Sequence, residues 1–205
     1  MKRALRFAQY ALTLIGVLAL GYCVWALLNT KYFEAREAQN FARELAVKTS
    51  LPRPAPTVSP AEEGTVLGRL DIPRLDLSVM VVEGVRAEDL RRAAGHIPGT
   101  ALPGTPGNIA IAAHRDSFFR PLRKIKPNDA ITLETFSGTY QYRVVSTEIV
   151  SADDVHVLDA GTQNILTLVT CFPFYYIGAS PKRFVVHAER VDTTAHAGLT
   201  GRQPQ

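Results

Sequence analysis

The sequence predicts a mainly β domain, a sandwich or closed barrel with short helices, carried behind one membrane-spanning helix. Three observations carry this expectation. The run "FAQYALTLIGVLALGYCVWALL", Phe7 to Leu28, holds no charged residue. The stretch "TSLPRPAPTVSPAEEG" then interrupts the chain with Pro52, Pro54, Pro56 and Pro60. Beyond it, short runs rich in Val, Ile, Thr and Tyr recur between Gly, Pro, Asn and Asp, the pattern of short strands joined by turns. That spacing fits a sandwich or barrel and not a parallel sheet built from βαβ units.

The apolar run reaches the roughly 20 residues needed to cross a hydrocarbon core of about 30 Å. Tyr10, Tyr22 and Trp25 sit toward its ends, where amphipathic rings favour the interface. A cleaved signal peptide would have a shorter apolar core, about 7–15 residues. Lys2, Arg3 and Arg6 precede the run, so the positive-inside rule leaves the N-terminus cytoplasmic and everything after Leu28 outside. The segment "NTKYFEAREAQNFARELAVK" has helical propensity and reads as a stalk. The prolines after it prevent a regular helix and favour an extended linker. The expected organisation is therefore 1–28 cytoplasmic end and anchor, 29–63 stalk and linker, 64–192 folded domain, and 193–205 disordered tail.

Within the domain, "TVLGRLDIP" and "LSVMVVEG" read as strands. "RAEDLRRAAG" has helical composition closed by a Gly, and "HIPGTALPGTPG" reads as loop. "NIAIAAH" is a buried strand ending at His114. "SFFRPLRKI" is a short helical or turn segment. "DAITLETF", "GTYQYRVVSTEIV", "NILTLVTC" and "RFVVHAERV" supply four more strands. "VSADDVHVLDAGTQ" is loop with one helical turn.

The net charge of +4 is modest, and no long basic block with interleaved aromatics appears, which argues against nucleic-acid binding. The chain has two cysteines, Cys23 inside the apolar run and Cys171 at the end of a strand, and no Cys-x-x-Cys spacing. A zinc site would lack its usual ligands. Cys171 stands as a lone thiol on the extracytoplasmic side.

His114 ends one apolar strand, Cys171 ends another, and Arg183 opens the next. Each alone has a plain reading: a small buried hydrophobe, a solvated imidazole, a surface cation. Together they are what a thiol nucleophile needs. A neighbouring cation favours the thiolate. A leaving amine needs a general acid, which His supplies. A tetrahedral intermediate needs a fixed donor at its oxyanion.

"TLVTC", an upstream "AIAAHRD" and an Arg opening the following β-run together resemble the sortases, membrane-anchored cysteine transpeptidases of bacteria. The likeness runs from Val66 to Val191 and includes "GHIPGTALPGTPGN" and "CFPFYYIGASPKRFVV", the latter most like the class D branch. The resemblance implies a closed β-barrel of about eight strands. It implies Cys171 as nucleophile, His114 as general acid and base, Arg183 as oxyanion and substrate stabiliser, and Thr170 as a secondary substrate contact. It implies cleavage of a Leu-Pro-x-Thr-type C-terminal sorting signal through a thioester, resolved by an amine on the cell wall or another protein. No cofactor is implied. Some members use calcium, but Asp153, Asp154 and His156 lack the oxygen-ligand pattern of a calcium loop.

The aromatic run Phe172, Phe174, Tyr175 and Tyr176 has two readings, a shield over the thioester or a cap on the barrel. Asp116 either orients His114 or caps its loop. His96 reads as a loop residue, His187 as part of a polar strand face, and His196 lies in the tail. Two other functions compete: a cysteine peptidase using water, and a non-catalytic β-rich surface scaffold. An L,D-transpeptidase is disfavoured because "LVTC" is not its Ser-His-Gly-Cys type motif.

Overall fold

A computed structural model describes residues 6, 7, 9, 10, 12–25, 62–161, 163–175, 178 and 180–191. Eight strands close into one barrel: β1 (Val66–Ile72), β2 (Leu77–Glu83), β3 (Ala94–His96), β4 (Asn108–Ala112), β5 (Ala130–Thr135), β6 (Gly138–Ser151), β7 (Ile165–Phe172) and β8 (Lys182–Arg190). Their order around the barrel is β1-β2-β3-β4-β7-β8-β6-β5, with β1 pairing β5 to close it. The pairs β2–β3 and β4–β7 are parallel, and the others are antiparallel.

Strand alternation builds the interior. Leu70 and Ile72 from β1, Ile109 and Ile111 from β4, Ile131 and Leu133 from β5, Leu166 and Leu168 from β7, and Val186 and Ala188 from β8 form one core cluster. Residues two apart share a face, so each strand sends every second side chain inward. Among the described residues, closure leaves no open sheet edge.

The main departure from the sequence reading is at "RAEDLRRAAG". Only Ala87–Leu90 forms an α-turn, and the run ends in strand β3. Gly95 does not stop a helix. It allows close approach: a Cβ there would lie 2.2 Å from the carbonyl oxygen of Gly84. Pairing with β2 and β4 on both sides overrides the local propensity of three residues. The other short segments are 3-10 turns, at Pro73–Leu75, Arg120–Lys124 and His156–Leu158.

Residues 12–25 are helical, with exposed apolar side chains. Among the described residues, no helix is long and apolar enough to cross a membrane. Residues 8, 11 and 26–28 of the expected anchor lie outside the described residues, as do the stalk and linker through residue 61 and the tail from 192.

Candidate active site

The "TLVTC" strand sorts its side chains by parity. Leu166 and Leu168 belong to the core, and Thr170 is 2% exposed. Thr167, Val169 and Cys171 therefore take the outer face of β7. On β8, Val186 and Ala188 are inside, and Arg183, Val185 and His187 are outside. On β4, Ile109, Ile111 and the following Ala113 are inside. Ala110 and Ala112 take the outer face, and His114 follows two residues beyond the end of β4. Cys171 and Arg183 thus share the outer surface of adjacent strands, and His114 lies just past the end of the third.

Register brings them level. Cys171 is the direct antiparallel partner of Arg183. Directly opposed side chains in such a pair stand about 4.5–5.5 Å apart at Cβ. On the other side of β7, Ala112 pairs Val169, and the Ala113 N–H still donates to the Val169 carbonyl at 3.2 Å. His114 follows Ala113 directly, one residue beyond that bond and two beyond the end of β4. Cys171 and His114 are both half-buried, and the thiol is free.

Thr170 pins this arrangement. Its hydroxyl donates to the Ala113 carbonyl at 2.7 Å, joining the residue before Cys171 to the residue before His114. Its side chain faces inward, so the structure gives it a partner in the protein at the place where a substrate contact was expected.

Arg183 is held by its own connection. Its Nη1 donates to the carbonyls of Ser180 and Lys182, each at 3.1 Å. The Ser180 hydroxyl donates in turn to the Phe172 carbonyl. Arg115, next to His114, donates from Nη2 to the Gly178 carbonyl at 3.0 Å, tying the segment after β4 to the segment after β7. Among the described residues no hydrogen bond joins Asp116 to His114, and Asp116 is exposed.

The aromatics divide. Phe172, Phe174 and Phe184 pack on one another with centroids 5.3–6.5 Å apart, and Phe174 and Phe184 rest on the core. Phe172 adjoins Cys171 in the chain, so this ring cluster ties the end of β7 to the core. Tyr175 is 79% exposed and accepts a 2.7 Å hydrogen bond from Arg123. Tyr176 lies outside the described residues.

The remaining histidines are engaged elsewhere. His96 is buried, with Nδ1 2.8 Å from the Glu83 carboxylate and Nε2 3.0 Å from the Ala101 carbonyl. It faces the barrel interior, since its partners Glu83 and Ile111 do. His156 is exposed and bonded to Asp154, which raises the His156 pKa and lowers that of Asp154. His187 lies between Glu148 and Thr167. Among the described residues no group of three or more His, Cys, Asp or Glu is placed to hold a metal ion. His196 is outside the described residues. Sequence reading missed Arg115, the Thr170–Ala113 bond and the polar chain through His187. Only the Thr170 orientation had a signal, its alternation with Cys171.

Comparison with known proteins points to one family. A family model described as the Sortase domain matches residues 70–191. The chain is 34% identical over 131 residues to Sortase D of Bacillus subtilis, covering 63% of this chain and 66% of that protein. It is 29% identical over 114 residues to Sortase A of Listeria monocytogenes, covering 54% and 51%. The match thus spans less than two thirds of either relative. Among solved structures, that of a Clostridium perfringens Sortase D5 transpeptidase superposes with a TM-score of 0.67 at 24% identity, over 78% of this chain and 99% of that one. Listeria monocytogenes sortase A superposes with a TM-score of 0.57 at 28% identity, over 62% and 88%.

Proposed function

This chain belongs to the sortase family, and we propose that it is a cysteine transpeptidase that cuts a C-terminal sorting signal of Leu-Pro-x-Thr type and passes it to an amine. The observation that carries the proposal is the register that sets Arg183 directly across from Cys171, with the Thr170 hydroxyl joining the residue before Cys171 to the residue before His114.

The chemistry runs in two halves. The Cys171 sulfur, as thiolate, attacks the carbonyl carbon of the signal's Thr. Negative charge collects on that oxygen. The Arg183 guanidinium carries five N–H donors in a rigid fork, and Nη1 is committed to Ser180 and Lys182. Nη2 and Nε remain for the oxyanion, a contact made only as charge develops. The C–N bond breaks, and His114 gives its proton to the departing amine. An S–C thioester is left on Cys171. An incoming amine then attacks the thioester and loses a proton to His114, a new amide forms, and the thiolate is released. No electron transfer and no metal is needed for this balance.

The acceptor would be a cell-wall peptide or another protein. The uncharged run Phe7–Leu28, with Lys2, Arg3 and Arg6 ahead of it, supports a single-pass anchor with the barrel outside the cytoplasmic membrane. Clostridium perfringens sortase C has been solved with the C-terminal cell wall sorting motif at a TM-score of 0.60 to this chain, which supports a peptide of that class as ligand.

The test is product analysis by mass spectrometry. A Leu-Pro-x-Thr-type peptide is cleaved while triglycine is raised. The proposal expects ligated product to replace free acid as the amine increases. Free acid alone, at every amine concentration and across several cleavable peptides, would establish a peptidase that uses water.

A further inference from the structure

Two polar residues on the outside of the barrel are as buried as its core. Thr167 is 0% exposed and Asn108 is 5% exposed. Both stand on the outer face, Asn108 in step with Ala110 and Ala112 on β4, and Thr167 in step with Val169 and Cys171 on β7. Outer-face polar residues are ordinarily wet, so something covers these two. The cover is the connection between β6 and β7. Asn108 Nδ2 donates to the Val157 carbonyl at 3.0 Å and lies 3.5 Å from that of Asp159.

The bonds fix their own direction. The Thr167 hydroxyl has one hydrogen and donates it to Asn108 Oδ1 at 2.7 Å. That settles which end of the Asn108 amide faces the connection, because the carbonyls of Val157 and Asp159 only accept. His187 Nδ1 lies 3.3 Å from the Thr167 oxygen, and its Nε2 lies 2.8 Å from Glu148. A continuous polar chain thus runs across the outside of β6, β8, β7 and β4 and ends on the covering segment.

That segment reaches toward the Cys171–Arg183 pair. Val157 packs with Val150 and Val185, and Leu158 rests against them. Val185 is the outer-face neighbour of Arg183 on β8. It pairs Val169, two residues before Cys171. The covering segment therefore stops one outer-face step short of the Cys171–Arg183 pair. A peptide lying along the outer surface from Cys171 toward Val185 would meet it.

We infer that Asn108 and Thr167 are positioning residues, whose hydrogen bonds hold Val157–Asp159 as a wall of the peptide site beside Cys171. The inference rests on the proposed peptide substrate, and it concerns how that substrate is held. The chemical step at the sulfur is left to other residues. Neither side chain touches the reacting atoms. Loss of the chain loosens the wall and weakens peptide binding while leaving the thiol intact.

The test uses the full chain with Thr167→Val, Thr167→Ser and Asn108→Leu, and three readouts. The first is hydrogen exchange at the Leu158 and Asp159 amides, which donate within the covering turn at 2.9 and 3.0 Å. The second is KM against kcat for a cleavable peptide. The third is the alkylation rate of Cys171 by iodoacetamide. Thr167→Val and Asn108→Leu are expected to speed that exchange and raise KM by about threefold to tenfold, the worth of one or two hydrogen bonds. Alkylation stays within about twofold of wild type, and Thr167→Ser restores both other readouts. Unchanged exchange at these amides overturns the inference, as does a KM that stays put while exchange rises. If no peptide is cleaved by any form, the transpeptidase reading fails. The exchange and its rescue by Thr167→Ser still decide, without activity, whether the chain holds the wall.

Discussion

Replacing Thr170 by Val removes one hydroxyl and changes shape little. The lost bond is the 2.7 Å donation to the Ala113 carbonyl, between residues 2% and 6% exposed. Water cannot readily replace the donor there. Leaving a buried acceptor without this partner costs about 1–3 kcal/mol. A domain of this size should then melt several degrees lower. The catalytic cost follows from position. The bond crosses from β7 to β4 one residue before Cys171 and one before His114. If it sets their spacing, a shift of about 1 Å can lower the rate by as much as 10². Thr170→Val is therefore expected to lose about tenfold to a hundredfold in kcat/KM, carried by kcat. Thr170→Ser keeps the hydroxyl and should recover most of it. The assay pairs thermal melting with steady-state cleavage of a fluorogenic sorting-signal peptide. A Val variant with unchanged kcat and a raised KM would mean that Thr170 serves the substrate directly. A Val variant as stable and active as wild type would remove the pin altogether.

Other outcomes follow from the same geometry. Arg183→Lys keeps the charge but loses the fork, and should cost about 2.7–4 kcal/mol of transition-state stabilisation, or 10²–10³ in kcat. A Lys variant within about twofold of wild type would make Arg183 structural. Leu168→Ala, at a fully buried inward position, should cost about 2–5 kcal/mol in urea denaturation. Val169→Ala, one residue along on the outer face, should cost less, and the reverse ranking would invert the parity assigned to β7. The Asp154 hydrogen bond raises the His156 pKa above its ordinary 6.5 and holds Asp154 below its ordinary 3.8. The His156 contribution is complete below pH 6.5 and fades as pH rises through its raised value. The Asp154 contribution is complete above pH 3.8 and fades as pH falls through its lowered value. The contact is whole between them. Proton NMR should place the His156 midpoint above 6.5, and Asp154→Asn should bring it down. An unmoved midpoint in that variant would assign the shift to another neighbour.

The strands with clear alternation, such as "RLDI", "AITLET" and "ILTL", were legible because burial of one face demands period two. β3 was not. Its Ala-Gly-His carries no strand signal, and its pairing comes from neighbours on both sides. At the site, residue type and place in the strand order pointed to Cys171, His114 and Arg183. Their register was hidden, because it depends on how the connection from Pro173 to Pro181 folds. The inward turn of Thr170 could be read by counting from Cys171. The chain from Glu148 through His187 and Thr167 to Asn108 could not, because its members lie 39, 20 and 59 residues apart and meet only through barrel closure.

In the proposed reaction Cys171 takes the acyl group while His114 serves the leaving amine. Intact-protein mass spectrometry after brief mixing with a Leu-Pro-x-Thr-type peptide, without added amine, tests it directly. A covalent adduct with the mass of the peptide's N-terminal fragment, mapped to Cys171, is expected. The adduct should be lost on addition of triglycine and absent from Cys171→Ala, and His114→Ala should form it far more slowly. Peptide cleavage by Cys171→Ala, or an adduct mapped to any other residue, would contradict it.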